Sequence, residues 1–233
     1  MYFAVIGKII SAEKMENRER YEMQYKIDEI LTQINKEYKD DIAYDFKLTL
    51  GDEFQGLIKN AAAVLEISDK IKYLATPLDL VFGIGIGPIY SAISKKNSTR
   101  PDGPAFWNAG FAIQQLKKNK SYTRPKILFE NDDNERYKNE WIQVVNESLN
   151  LCDFIEKGWT DKQKSIIMES IYRYGYDMKV PQKELADLFE ISVPAMNVHM
   201  KRSGYYNYLS LRKTIGEALQ KEWGEAGNQA EKP

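Results

Sequence analysis

Cysteine and histidine each occur once in the 233 residues, as Cys152 and His199. A lone cysteine excludes an intrachain disulfide, and one of each leaves too few donors for a thiolate zinc site or a histidine-rich metal centre. Long apolar runs are missing too: none approaches the roughly 20 residues that a membrane span needs. Residues 1–7 are too short, and lack the basic start, for a secretory signal. The expectation is a cytoplasmic chain with no membrane partner. An excess of one charge sign is also missing, since the net charge of -1 identifies no partner by itself. What is present is 43% hydrophobic residues, enough for a core, in a length that suits one medium and one small domain. The sequence shows no internal repeat and no long low-complexity segment.

The stretch LTLGDEFQGLI over residues 48–58 sets two apolar runs either side of Gly51, Asp52 and Glu53. This pattern predicts a tight β-hairpin with two adjacent carboxylates at its tip. Like charges a few ångströms apart repel unless a cation sits between them. Asp52 and Glu53 are therefore either a cation site, with Mg²⁺ or Ca²⁺ the usual occupant of oxygen ligands, or a solvated turn.

In chain order, residues 2–10 read as a buried strand, and residues 15–38 as an amphipathic helix with Tyr21, Tyr25, Ile27, Leu31 and Ile34 in its apolar stripe. Asn60 caps a helix over 61–74 that Pro77 ends. Residues 80–87 alternate Leu80, Phe82, Ile84 and Ile86 with Val81, Gly83, Gly85 and Gly87. A strand face stripped by three glycines admits a close neighbour, either a packing element or a ligand. Residues 88–92 are a candidate further strand. Gly103-Pro104 opens a helix through Leu116, 126–129 is a strand, and 131–150 is a helix. The order predicts an α+β, ferredoxin-like domain over residues 1–150.

From Gly158 the pattern becomes helical. Thr160 and Gln163 have capping-box spacing, and Gly175 stops the first helix. Residues 181–189 form a second helix, and Ser192 caps a third with Pro194 in its first turn and Val198 facing the core. Ser203-Gly204 precedes an aromatic-rich helix running to about Trp223. Two short helices around Glu190-Ile191 make a helix-turn-helix pattern in an all-α domain over 158–223, with a disordered tail at 224–233. Glu190 stands where such turns favour glycine, so a left-handed non-glycine residue is expected there. The candidate DNA contacts are Lys183, Ser192, Asn197, His199, Lys201, Arg202, Arg212 and Lys213, with Lys179 nearby.

LGDEFQG, GIGIGPIYSA and DGPAFWNA, in this order ahead of a helix-turn-helix, are similar to the SatD family of bacterial proteins. The amino-terminal part more distantly resembles the nucleotidyl cyclase superfamily of class III adenylate cyclases and diguanylate cyclases. That resemblance implies a ferredoxin-like core in which the first strand and the hairpin each supply a metal-binding carboxylate. Asp52 matches the hairpin ligand, whereas Lys8 stands at the first-strand aspartate. An ammonium cannot coordinate a metal, so Lys8 is expected to pair with Asp52 and replace the cation. The lysine that adenylate cyclases carry four residues before the hairpin aspartate is Leu48 here. Asn108 matches a helix asparagine of the cyclases, but no arginine follows it within a turn.

These readings combine into a DNA-binding transcriptional regulator whose cyclase-like domain is catalytically degenerate and serves dimerisation or ligand sensing. No cofactor is expected. The expected partners are DNA, a second copy of the chain and a nucleotide-like small molecule, the last near Lys8, Asp52, Glu53, Gly83, Gly85, Gly87, Arg100, Asp102 and Asn108. The alternatives are a metal-dependent nucleotidyl cyclase or transferase using Asp52 and Glu53, and a protein-protein adaptor.

Overall fold

The chain is described here from a computed structural model covering residues 1–10, 12–49, 51–93, 101–118, 126–131 and 136–224. Strand β1 (Tyr2–Ile9) is central in a five-stranded mixed sheet with β2 (Ile42–Leu48), β3 (Glu53–Ile58), β4 (Leu80–Gly87) and β5 (Ile127–Asn131). The order is β2-β3-β1-β4-β5, antiparallel throughout except for the parallel β4–β5 pair. Strand alternation sorts β1 into two faces: Phe3, Val5 and Ile9 enter the main core, and Tyr2, Ala4 and Ile6 a smaller second cluster.

The main core lies between the sheet and helices α1 (Asn17–Glu37), α2 (Val64–Ala75) and α4 (Arg136–Lys157), while α3 (Pro104–Lys118) covers the opposite face. Both edge strands are held by a helix asparagine that imitates a neighbouring strand. Asn35 of α1 accepts from Phe46 N–H at 2.7 Å and donates to its carbonyl at 2.9 Å. Asn146 of α4 does the same for Phe129, at 2.8 and 2.9 Å. These bonds satisfy backbone groups that an open edge would offer to another chain.

Helices α5 (Asp161–Tyr174), α6 (Gln182–Leu188), α7 (Val193–Arg202) and α8 (Tyr205–Leu219) follow; α5 and α8 pack on α2, α8 also on α4, and α7 joins α6 to α5 and α8. The Thr160 capping box forms, and Gly175 ends α5 with φ +57°. Trp223, in a single π-turn at Gln220–Gly224, is buried against Trp141, and its carbonyl accepts from the Met1 ammonium at 3.2 Å. Both ends of the described chain therefore meet.

Several expectations change. Tyr21 and Tyr25 are 71% and 59% exposed; the aliphatic Met23, Ile27, Ile30, Leu31 and Ile34 set the buried face of α1. Residues 88–92 form no strand: Pro88 lacks an N–H, and Tyr90 N–H instead bonds the Asp102 carbonyl at 2.9 Å. The helix expected over 131–150 begins at Arg136 and continues to Lys157, across the residues between the two expected domains. Val198 is exposed, and Met196 and Met200 fill the core beneath α7. Of the expected tail, Gly224 belongs to the π-turn, and residues 225–233 lie outside the described residues.

Candidate functional site

Lys8 and Glu53 stand directly opposite each other on β1 and β3, so the pleat puts both side chains on the α3 face. Gly51, with φ +73°, makes the turn that brings Asp52 alongside. Lys8 Nζ donates to Asp52 Oδ2 at 2.6 Å and to Glu53 Oε1 at 3.2 Å. Burial opposes the Lys8 charge, but bonding to both carboxylates outweighs it and raises the ammonium above its ordinary pKa. Lys117, at the end of α3, lies 3.4 Å from Glu53 and completes a cluster of two cations and two anions. The expected pairing of Lys8 with Asp52 is present, extended by Glu53 and by Lys117, which sequence reasoning missed. The cation that the cyclase resemblance implies does not fit this arrangement, because the Lys8 ammonium occupies the space between the carboxylates.

The other expected ligand contacts are elsewhere. Gly83, Gly85 and Gly87 lie under α3, not beside an open face: a Cβ on Gly85 would stand 2.0 Å from the Ala105 carbonyl oxygen and 2.2 Å from Ala109 N. The bare face is filled by the α3 backbone, which corrects the ligand-binding expectation for these three residues. Asn108, half-buried on α3, donates to the Ile86 carbonyl at 2.9 Å. Asp102 accepts from Trp107 Nε1 at 2.9 Å, and its backbone N–H bonds Ser91 at 2.8 Å. Gly87 pairs with Tyr2, at the far end of β1 from Lys8, about 20 Å away at roughly 3.3 Å per residue. The sheet thus separates Lys8, Asp52 and Glu53 from Gly87 and Asp102. Arg100 lies outside the described residues.

In the helical part, Phe189 caps α6 and Glu190 adopts φ +52°, the left-handed conformation expected of this position. Ile191 N–H bonds the Ala186 carbonyl at 3.0 Å, and Ser192 Oγ then accepts from Ala195 N–H at 3.3 Å to start α7. Lys183, Ser192, Lys201 and Arg202 are exposed, and Asn197 and His199 half-buried. Lys179 is exposed in the segment before α6. Lys213 is exposed but lines a hollow of about 450 Å³ with Ala62, Glu66, Tyr176 and Glu217, on the α2 side of the helical part.

Arg212 is fully buried and reaches no surface, which corrects its expected role as a DNA contact. Its guanidinium lies 3.4 Å from Asp69 of α2 and 4.7 Å from the Tyr208 ring centre, with no hydrogen bond to any of its three nitrogens. Asp69 also accepts from Tyr176 at 2.6 Å and pairs with Lys72 at 3.3 Å, and Lys72 reaches Glu156 of α4 at 2.8 Å. Burial pushes the Asp69 carboxyl up, but Arg212 and Lys72 outweigh it and hold it below the usual carboxylate range. Burial also disfavours the Arg212 charge, which Asp69 and its neighbours more than offset. The only local signal for this network was the set of charges in α2, VLEISDKIKYLA, a helix otherwise apolar enough to be buried on most sides.

Fold and site together define a mixed α/β protein: a five-stranded sheet with a closed charge cluster at one end and a group of helices packed behind it. The SatD family model matches residues 2–219, and the chain belongs to the SatD family. No curated protein sequence and no solved structure matches it. Among the described residues no helix is long and apolar enough to cross a membrane.

Proposed function

We propose that this SatD-family protein is a DNA-binding transcriptional regulator, with α6 and α7 as a helix-turn-helix and the sheet domain as a dimerisation or ligand-sensing module. The observation that carries this reading is the presentation of α7. A left-handed residue at Glu190 turns the chain sharply between two short helices, and the helix that follows exposes Lys201 and Arg202. Its sequence, VPAMNVHMKR, contains no acid, so its outer face complements a polyanion. The order β1-α1-β2-β3-α2-β4, with these four strands antiparallel as β2-β3-β1-β4, supports a ferredoxin-like, cyclase-like reading of the sheet domain. Within that reading Lys8, Lys117, Asp52 and Glu53 form a balanced structural charge cluster instead of a metal centre, and the domain does not catalyse nucleotidyl transfer.

The test is binding of the full chain to a mixed-sequence DNA duplex between about 50 and 200 mM salt. Affinity is expected to fall steeply with salt, and replacing Lys201 and Arg202 by alanine should reduce the log–log slope by about 2. Unchanged affinity and slope in that variant would remove α7 from DNA contact.

A further inference from the structure

The outer face of α7 supports a more specific reading, which rests on the proposed DNA binding. Met196 and Met200 are 0% and 1% exposed and define the buried side of this helix. At about 100° per residue, Val198 lies on the opposite side. It is 47% exposed and sits between exposed Pro194 one turn before and Lys201 and Arg202 one turn after. A branched apolar side chain at the middle of an outward face contributes nothing to phosphate binding. Its methyls complement an apolar feature, and the apolar feature of the major groove is the C5-methyl of thymine. The cations that flank Val198, on a helix free of acids, favour a polyanion over a protein groove as the occupant of this face.

We propose that Val198 reads thymine methyl groups in the major groove and gives this protein a preference for A·T-containing sites. Asn197, the preceding residue, supplies the amide that pairs with adenine N6 and N7. Lys201 and Arg202 hold the adjoining phosphates and set register without reading sequence.

The probes are an alternating dA·dT duplex and the same duplex with uracil in place of every thymine, which removes the methyl and keeps the pairing. Full-length protein is titrated with each at one fixed salt concentration, beside Val198→Ser. The wild type is expected to bind dA·dT about fourfold more tightly for each methyl buried. Val198→Ser is expected to lower dA·dT affinity to the level of the uracil duplex, while its affinity for the uracil duplex stays within about twofold of wild type. Equal wild-type affinity for the two duplexes, or a thymine preference that survives Val198→Ser, overturns methyl reading and leaves DNA binding standing. Failure to bind either duplex, or an alternating dG·dC duplex, overturns both and assigns this apolar face to a protein partner.

Discussion

Lys8 bonds two carboxylates that would otherwise repel each other, and at 16% side-chain exposure it does so with little help from water. Removing the ammonium while adding a third acid should therefore create a cation site. Lys8→Asp is expected to bind Mg²⁺ where the wild type does not. At ten times its dissociation constant the ion would stabilise the variant by about 1.4 kcal/mol, a rise of about 3–6 °C in Tm. A thermal melt of both proteins with and without Mg²⁺ reads this, and a variant indifferent to the ion would show that Lys8 is not substituting for one. The Lys8 pairing was legible because the family resemblance placed a lysine and the hairpin acids at one location. Lys117 was not, since it lies 64 positions from Glu53 and only the packing of α3 brings them together.

At the scale of elements, α3 lies so close to β4 that backbone touches where Cβ atoms would stand. Gly85→Ala must force the two apart, because the atoms met at 2.0 and 2.2 Å are backbone and cannot rotate away. A loss of about 3 kcal/mol is expected by urea denaturation. Gly110, on the same helix with nothing within 4 Å of its added Cβ, is the contrast: Gly110→Ala should stabilise by about 0.5–1 kcal/mol. Comparable losses at both positions would mean that helix packing is not what the strand glycines serve. Alternation made the bare strand face legible, whereas its occupant, a helix or a ligand, was a matter of tertiary contact. Caps were legible for a related reason: Asn60, Thr160 and Ser192 each bond a backbone N–H two or three residues away, an interaction decided within one turn. The facing of Val198 was not local in this way, because Met196 and Met200 offered an equally apolar stripe.

Across the whole molecule, α2 joins the sheet to the helical part, and side chains from both sides of the expected boundary near residues 150–158 enter one core. Asp69 is the charge at that junction, meeting Arg212 of α8, Lys72 of its own helix and the Tyr176 hydroxyl. Asp69→Ala removes the ion-pair partner of the buried Arg212, and a loss of about 3–5 kcal/mol is expected. Replacing the pair together, as Asp69→Leu with Arg212→Met, should destabilise much less, since no charge is then left unpaired. Chemical denaturation of the three proteins measures this. Equal losses in the single and double variants would show that packing, not charge compensation, holds the junction.

By itself the sequence determined the elements and most of their ends, because strand alternation, helical periodicity, capping residues and turn glycines act over a few neighbouring positions. It also determined that Glu190 would be left-handed and that Lys8 would face the hairpin acids. Tertiary structure decided what depends on partners far apart in the chain: that α3 fills the glycine face, that Arg212 is a buried counter-ion and not a surface cation, and that Val198 points outward. Burial is a property of the assembled packing, and residues with the same local pattern can be core or surface until the elements around them are in place.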